Sequence, residues 1–186
     1  MLVFFDTEFT GLHKNTTLIS IGLVSEYGDE LYLELNDYDR DMCDEWITHN
    51  VLDNTISEGD KDVLSIVSNE QDYHFCENKE EAKQILESWF KQFNEVQLVS
   101  DCCHYDMVLL IDIFGTAFDL PSNVSPACYD INQDIAAYEG CSCKEAFNIG
   151  RESFIKSYGN PIVGDKHNSL YDARVIKEIY RIILGV

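Results

Sequence analysis

The chain has 186 residues, of which 45% are hydrophobic and 25% are charged, a composition typical of an ordered globular protein. We expect one domain over residues 1–186, because a chain of this length can bury a sizeable core. The formal net charge of −21 argues against a protein that binds long nucleic acid through a basic surface. A short strand end bound through metal ions is still compatible with this charge, since the ions would supply the positive charge.

The sequence also disfavours membrane and secreted proteins. No apolar run approaches the roughly 20 residues that a membrane-spanning helix needs, and the amino terminus does not follow the pattern of a signal peptide. The seven cysteines include the neighbours Cys102 and Cys103, and they do not form the paired C-x-x-C pattern of a zinc site. We therefore predict reduced thiols and a cytoplasmic protein that has no membrane partner.

Three predicted strands open the chain. The apolar run at residues 2–5 is followed by a β-branched stretch at 17–27 and by an alternating stretch at 30–35. Gly28-Asp29 marks a tight turn between the last two, which predicts an antiparallel meander. Residues 53–74 show no clear period, and the one element predicted there is a short helix near residues 61–67.

Strands and helices alternate in the rest of the chain. Asn78 can cap a helix whose apolar residues recur at helical spacing. The other predicted elements are strands at 96–99 and 127–131 and helices at 105–114, 132–139, 143–150 and 169–184. Three strands followed by alternating strands and helices predict an α/β fold with a mixed central β-sheet flanked by helices.

Asp6 and Glu8 stand directly after the first apolar run. Because strand side chains alternate between two faces, these two carboxylates would project from the same face. Carboxylates this close repel each other unless a cation lies between them, and their oxygens suit Mg²⁺ or Mn²⁺. A strand that simply ends in an acidic turn is the alternative, so a metal site needs further ligands from elsewhere in the chain.

Two later stretches can supply these ligands. Asp106 lies in the first turn of a predicted helix, where the helix dipole favours a carboxylate. Asp101 competes with it at the end of the preceding strand, and we favour Asp106 because the helix start fixes it beside apolar residues. His167 lies in the loop before the last helix. Asp172 lies one turn inside that helix beside its apolar stripe, where a carboxylate is costly unless it coordinates or pairs.

The motifs D-x-E, Y-D and H-x-x-x-x-D occur in this order, and in this order the chain resembles the DEDDh 3′–5′ exonucleases of the DnaQ-like, ribonuclease H-like superfamily. Residues 4–9 (FFDTEF), 46–52 (WITHNVL) and 105–106 (YD) are similar to a compact bacterial and phage subfamily of 3′–5′ exoribonucleases. Asp101 and Cys102 depart from the polar pair that often precedes the second acidic motif. Position 168 is Asn, whereas the sister DEDDy group has a tyrosine at this spacing.

The resemblance implies a ribonuclease H-like fold and the hydrolysis of single-stranded or short RNA 3′ ends to nucleoside 5′-monophosphates. It implies two divalent ions, Mg²⁺ or Mn²⁺, bound by four carboxylates. These ligands would be Asp6, Glu8, Asp106 and Asp172. His167 would be the general base, and its ordinary pKa of about 6.5 suits neutral to alkaline pH.

The resemblance also implies contacts with the substrate. Phe9 and Leu12 would pack against the terminal bases, and the backbone from Thr7 to Thr10 would lie near the 3′ hydroxyl. Phe9 could instead be a core residue. Exonucleases of this type are often homodimers, so the resemblance also implies a possible homodimer. Lys14, Lys166 and Arg174 could contact phosphate, although Arg174 could instead pair with Glu178. Trp46 and His49 could lie at the rim of the cleft.

Two other functions stay open at this point. A DNA exonuclease would use the same residues, because the sequence does not show which group contacts the 2′-OH that separates RNA from DNA. A catalytically silent binding module of the same fold is disfavoured, since such a module has no chemical need to keep all five site residues.

Overall fold

A computed structural model describes residues 1–57 and 72–185, so the short helix predicted near residues 61–67 lies outside the described residues. The strands are β1 (Leu2–Phe9), β2 (Leu18–Ser25), β3 (Glu30–Leu35), β4 (Asp72–Cys76), β5 (Gln97–Ser100) and β6 (Tyr129–Asp130). The helices are α1 (Glu45–Asn50), α2 (Lys79–Phe90), α3 (Cys103–Phe114), α4 (Asn132–Glu139), α5 (Cys143–Phe147), α6 (Arg151–Tyr158) and α7 (Ser169–Leu184). None of the described helices is long and apolar enough to cross a membrane.

The strands form one mixed sheet in the order β4-β3-β2-β1-β5-β6. Strands β1, β2 and β3 are the predicted antiparallel meander, while β5 runs parallel to β1 and β4 runs parallel to β3. Every residue of β2 is buried, because helices cover both faces of the sheet. Helices α2 and α3 pack on one face, and α4, α6 and α7 pack on the other. The predicted α/β class with a mixed central sheet is confirmed.

Three of the described elements, β4, α1 and α6, were not predicted from the sequence, and α1 is short and buries only Ile47. Strand β4 forms by parallel pairing with β3, a nonlocal contact that local residue patterns do not reveal. Helix α6 buries only Phe154 and Ile155, so it has no long apolar stripe for a periodicity argument to detect. The helix predicted at 143–150 is shorter than expected, since α5 ends at Phe147 and α6 begins three residues beyond Asn148.

The sheet brings the predicted site residues to the carboxyl ends of its neighbouring strands β1 and β5. Phe4 of β1 pairs with Val99 of β5 in parallel, so the segment that follows β5 lies beside Asp6. On the other side of β1, Asp6 pairs with Gly22 of β2. A Cβ atom at Gly22 would lie 2.3 Å from the backbone nitrogen of Leu170, so glycine is required for the first turn of α7 to approach the sheet. This approach places the start of α7 next to the carboxylates of β1.

Candidate active site

A cleft of about 790 Å³ opens at the edge where β1, the end of β5 and the starts of α3 and α7 meet. Its lining includes all five residues predicted to carry metals or protons: Asp6, Glu8, Asp106, His167 and Asp172. Asp101, the competing carboxylate at the end of β5, lines the same cleft. The fold therefore brings together residues that are spread over most of the chain.

The acidic side chains form two groups, which we call the strand-side group and the loop-side group. The strand-side group is Asp6, Asp101 and Asp106, with one carboxylate oxygen of each residue lying within 4.8 Å of the others. The loop-side group is Glu8, His167 and Asp172, whose ligand atoms meet the same limit. Asp6 and Glu8 project from the same face of β1, as strand alternation predicts, and each belongs to a different group.

In the strand-side group, two hydroxyl groups hold Asp106. This residue is fully buried. The Thr7 hydroxyl donates to Asp106 Oδ1 at 2.6 Å, and the Ser100 hydroxyl donates to Oδ2. Burial nevertheless raises the pKa of Asp106 to about 7, although both hydrogen bonds oppose that rise. The Thr7 side chain thus serves a carboxylate of the site, and a role of the Thr7 backbone toward substrate stays a prediction.

In the loop-side group, backbone conformation positions the side chains. His167 has φ +65°, and it is the one non-glycine residue with a positive φ in the described part of the chain. Its backbone N–H donates to Asp172 Oδ2 at 2.9 Å, while its ring Nδ1 lies 3.8 Å from Glu8 Oε1. The Asn168 side chain caps α7 by accepting from the Tyr171 N–H, as expected for a residue before the helix.

The segment around α1 supports this loop. The Trp46 ring meets the His167 ring edge-on, with centroids 5.2 Å apart. The Asn54 side chain donates to the Lys166 carbonyl at 2.9 Å, and the Asn168 side chain donates to the Asn54 carbonyl at 2.9 Å. Trp46 is therefore both a support of His167 and part of the cleft wall, whereas His49 is exposed and bonds within α1.

The electrostatics of the cleft fit divalent cations. Burial, followed by repulsion from the neighbouring carboxylates, raises the pKa values of Asp6 and Glu8 well above their ordinary range. Burial also raises the pKa of Asp172 to about 7. Bound cations would favour the charged form of all these groups, and carboxylate oxygens are the ligands that Mg²⁺ and Mn²⁺ prefer. Burial and the nearby Lys166 lower the pKa of His167, which keeps its ring neutral near pH 7.

The loop that follows Glu8 forms one side of the cleft. Phe9 stacks on Tyr105 with ring centroids 5.1 Å apart and packs against the core, yet it also lines the cleft. Thr10 is buried, and its hydroxyl accepts from the Thr17 N–H at 2.9 Å. Leu12 is 77% exposed and faces the cleft, so it is the member of this loop most available for contact with a base.

The first turn of α6 contributes two charged residues that sequence reasoning missed. The Arg151 Nε donates to Asp101 Oδ2 at 2.7 Å. Glu152 lines the cleft, and its Oε1 is buried without a hydrogen-bond partner in the part of the chain that the structure describes. Nothing in the local sequence marks these residues, because the contact between Arg151 and Asp101 spans 50 positions.

The expected Arg174–Glu178 pair is wrong. The Arg174 guanidinium instead donates to both carboxylate oxygens of Glu30 in β3, at 2.9 and 2.6 Å. Glu30 on β3 outcompetes the helix neighbour Glu178, because two parallel hydrogen bonds form there, and Glu178 pairs with Arg181 instead. Lys166 does line the cleft, in keeping with its expected place near the substrate.

Comparison with known proteins gives the family. Residues 1–184 match the family described as the 3′–5′ exoribonuclease Rv2179c-like domain. No curated protein sequence matches the chain significantly.

Several solved structures share the fold. The crystal structure of a full-length 3′-exonuclease superposes with a TM-score of 0.64 at 13% identity, covering 99% of this chain and 81% of that one. The S. pombe Pop2p structure in its Mg²⁺- and Mn²⁺-bound form has a TM-score of 0.59 at 16% identity, covering 96% and 81%. The nuclease domain of 3′hExo, a DEDDh family member bound to rAMP, has a TM-score of 0.60 at 12% identity, covering 99% and 91%. These likenesses establish the ribonuclease H-like fold of this chain.

Proposed function

The chain belongs to the family of Rv2179c-like 3′–5′ exoribonuclease domains, and from this premise we propose how its cleft hydrolyses RNA. The enzyme is a 3′–5′ exonuclease, a phosphodiester hydrolase. We propose that residues 1–186 act as one catalytic domain, since the family match covers nearly all of them. The observation that carries the mechanism is the meeting of four buried or half-buried carboxylates with one histidine in a single cleft.

The carboxylates are proposed to hold two divalent cations, Mg²⁺ or Mn²⁺. Their pKa values are raised by burial and then by repulsion from neighbouring carboxylates, and these shifts support the assignment because a bound cation would offset both effects. Asp6 would serve both cations, Glu8 and Asp172 would hold one, and Asp106 would hold the other. When bound, such ions lower the pKa of water and stabilise the negative charge that develops on the phosphoryl oxygens.

His167 is proposed as the general base. Its ring lies against the loop-side carboxylates and its lowered pKa leaves it ready to accept a proton at neutral pH. It would take one proton from the attacking water, whose oxygen then bonds to the terminal phosphorus. The bond from phosphorus to the 3′ oxygen of the preceding nucleotide breaks, and that oxygen leaves as a 3′ hydroxyl once it gains a proton. The products are one nucleoside 5′-monophosphate and an RNA shortened by one nucleotide.

We propose single-stranded or short RNA 3′ ends as the substrate. The cleft is small, and the net charge of −21 offers no basic track for a long duplex. Leu12 and Phe9 would meet the terminal bases, and the backbone between Thr7 and Thr10 would lie near the 3′ hydroxyl. The 3′hExo nuclease domain that shares the fold binds rAMP, a ribonucleotide, which supports RNA as the polymer.

The test is a comparison of matched RNA and DNA oligonucleotides, each labelled at the 5′ end, with Mg²⁺, with Mn²⁺ and with a chelator. We expect metal-dependent shortening of the RNA one nucleotide at a time and release of 5′-monophosphates. Equal or faster degradation of the DNA would favour the DNA exonuclease instead. Binding of either oligonucleotide without any hydrolysis would point to the silent binding module.

We also propose that the protein works in the cytoplasm and assembles as a homodimer. All seven cysteines are free thiols, in keeping with a reducing compartment. The dimer follows from the resemblance to exonucleases of this type, and sedimentation of the purified protein across a concentration series would test it. A single species at the monomer mass over the whole series would contradict the homodimer.

A further inference from the structure

Arg151 connects three separate segments around the cleft. Its Nε donates to Asp101 Oδ2 at 2.7 Å, and one terminal nitrogen donates to Asn132 Oδ1 at 2.6 Å. The other terminal nitrogen donates to the carbonyls of Ala146 and Ile149, at 3.0 and 3.1 Å. The guanidinium is only 13% exposed, so these bonds form away from bulk water. One side chain thus joins the end of β5, the start of α4 and the segment between α5 and α6.

The segment between α5 and α6 is a wall of the cleft. Residues 147–150 line the cleft together with the loop after β1. This segment follows α5, which ends at Phe147, and the backbone N–H groups of Asn148 and Ile149 donate back to carbonyls of α5. A planar guanidinium that bonds the Ala146 carbonyl in α5 and the Ile149 carbonyl in the wall at once fixes the position of this wall, which a lysine could not do with the same geometry.

Asp101 is the other member of the pair, and it belongs to the strand-side group. A carboxylate oxygen of Asp101 lies within 4.8 Å of oxygens from Asp6 and Asp106. Its negative charge therefore lies directly beside the strand-side carboxylates. The Asn132 side chain also donates to the Asp101 carbonyl at 2.8 Å, which fixes the backbone at this point.

We propose that Asp101 and Arg151 form a positioning pair that links the cation-binding carboxylates to the wall of the nucleotide pocket. Asp101 adds negative charge next to Asp6 and Asp106 and so strengthens cation binding. Arg151 limits that charge and holds the wall at residues 147–150 in place for the terminal nucleotide. This inference rests on the proposed function, because it concerns the same cation-binding cleft. It assigns opposite effects on cation binding to the two members of the pair.

The pair makes a prediction of opposite sign for its two members. Asp101→Asn removes one negative charge, so Mn²⁺ binding should weaken about tenfold. Arg151→Met leaves Asp101 uncompensated, so Mn²⁺ binding should tighten about threefold, whereas KM for RNA should rise about tenfold because the wall loses its donors. The double variant should bind Mn²⁺ about as well as the wild type and keep the raised KM.

The experiment combines calorimetric titration of Mn²⁺ into the full chain with steady-state hydrolysis of a short RNA. Arg151→Lys separates charge from shape, since it should keep the wild-type Mn²⁺ affinity but still raise KM. Lys156→Met serves as the matched control, because Lys156 is an exposed cation on the same helix and away from the cleft. Urea unfolding of each variant reports any loss of stability separately.

Two outcomes would overturn the pair. Mn²⁺ affinity that falls in both single variants indicates a merely structural role, and Mn²⁺ affinity that is unchanged in Asp101→Asn removes Asp101 from the cation site. Failure of the proposed function looks different, since the wild-type protein itself would then not hydrolyse RNA with Mn²⁺ present.

Discussion

The strand-side group and the loop-side group both place carboxylates in the cleft, but different parts of the chain hold these carboxylates in position. In the strand-side group, the Asp106 carboxylate is fully buried and is held by side-chain hydroxyls from β1 and β5. In the loop-side group, the Asp172 carboxylate is held by the backbone N–H of His167, a residue in a left-handed conformation. One group is built on the sheet and the other on a loop that α1 and α7 hold from either side. The comparison teaches that side-chain hydroxyls and a backbone N–H can both position carboxylates of one cleft.

The largest effect should come from Asp6, because its carboxylate stands in the strand-side group and its strand also carries Glu8. We expect Asp6→Asn to lower kcat/KM for RNA by about a thousandfold or more, since the proposed ligand of both cations is lost. The measurement is steady-state hydrolysis of a labelled oligonucleotide with Mg²⁺. Asp53→Asn, at an exposed position outside the cleft, should retain wild-type activity. Wild-type rates in Asp6→Asn would remove Asp6 from the mechanism.

His167 distinguishes the role of the ring from that of the backbone in the loop-side group. Both His167→Ala and His167→Gly should lower kcat by about a hundredfold or more, since each loses the general base. The free energy of unfolding, measured in urea, should be about 1 kcal/mol higher for the glycine variant than for the alanine variant, because glycine adopts φ +65° without strain. Equal stability of the two variants would mean that the left-handed backbone stores no strain in solution.

The raised pKa values predict how the metal-free protein responds to pH. Asp106 and Asp172 titrate at about 7 in the folded chain, whereas unfolded aspartate titrates at about 3.9. Between these values the folded state binds more protons than the unfolded state, so stability falls as pH rises from about 4 to about 7. The loss should reach about 2 kcal/mol or more for the metal-free protein.

Thermal unfolding in a chelator across this pH range is the measurement, and added Mn²⁺ should restore the stability on the alkaline side because it binds only the folded state. Asp6→Asn should show a smaller pH dependence, since one carboxylate whose pKa is raised by burial is gone. A metal-free protein that becomes more stable toward pH 7 would contradict the assignment of buried, repelling carboxylates.

Thr7 tests the strand-side support directly. Thr7→Val removes the hydroxyl that donates to Asp106 and keeps the shape, so we expect kcat/KM to fall about tenfold, as for other groups that orient a metal ligand. Thr7→Ser keeps the donor and should stay close to the wild type. If valine and serine behave alike, the hydrogen bond does not position Asp106 for catalysis.

The smallest effect should come from Trp46 on the loop side. Trp46→Leu removes the edge contact with His167 but leaves the Asn54 hydrogen bonds to the loop. We expect kcat to fall roughly threefold to tenfold, as for a missing support of a catalytic group. An effect as large as that of His167→Ala would mean that Trp46 itself contacts the substrate at the rim of the cleft and does more than support His167.

The sequence alone determined the features that depend on local pattern. Strand alternation placed Asp6 and Glu8 on one face, and the start of α3 and the cap of α7 placed Asp106 and Asp172 in first turns. The order of these motifs identified the family and the mixed sheet. These inferences hold because residue spacing and helix caps follow from backbone geometry that every strand and helix shares.

Only the tertiary structure decided which side chains support the site. The Thr7–Asp106 bond joins residues 99 positions apart, and the Arg151–Asp101 pair joins residues 50 positions apart. The structure places both candidate aspartates in the strand-side group, where Asp106 is bonded to two hydroxyls and Asp101 is paired with a guanidinium, so the preference for Asp106 as the cation ligand stays a prediction. Such pairings depend on which elements pack together, and the sequence of helix α6 has no local pattern that predicts its position beside the cleft.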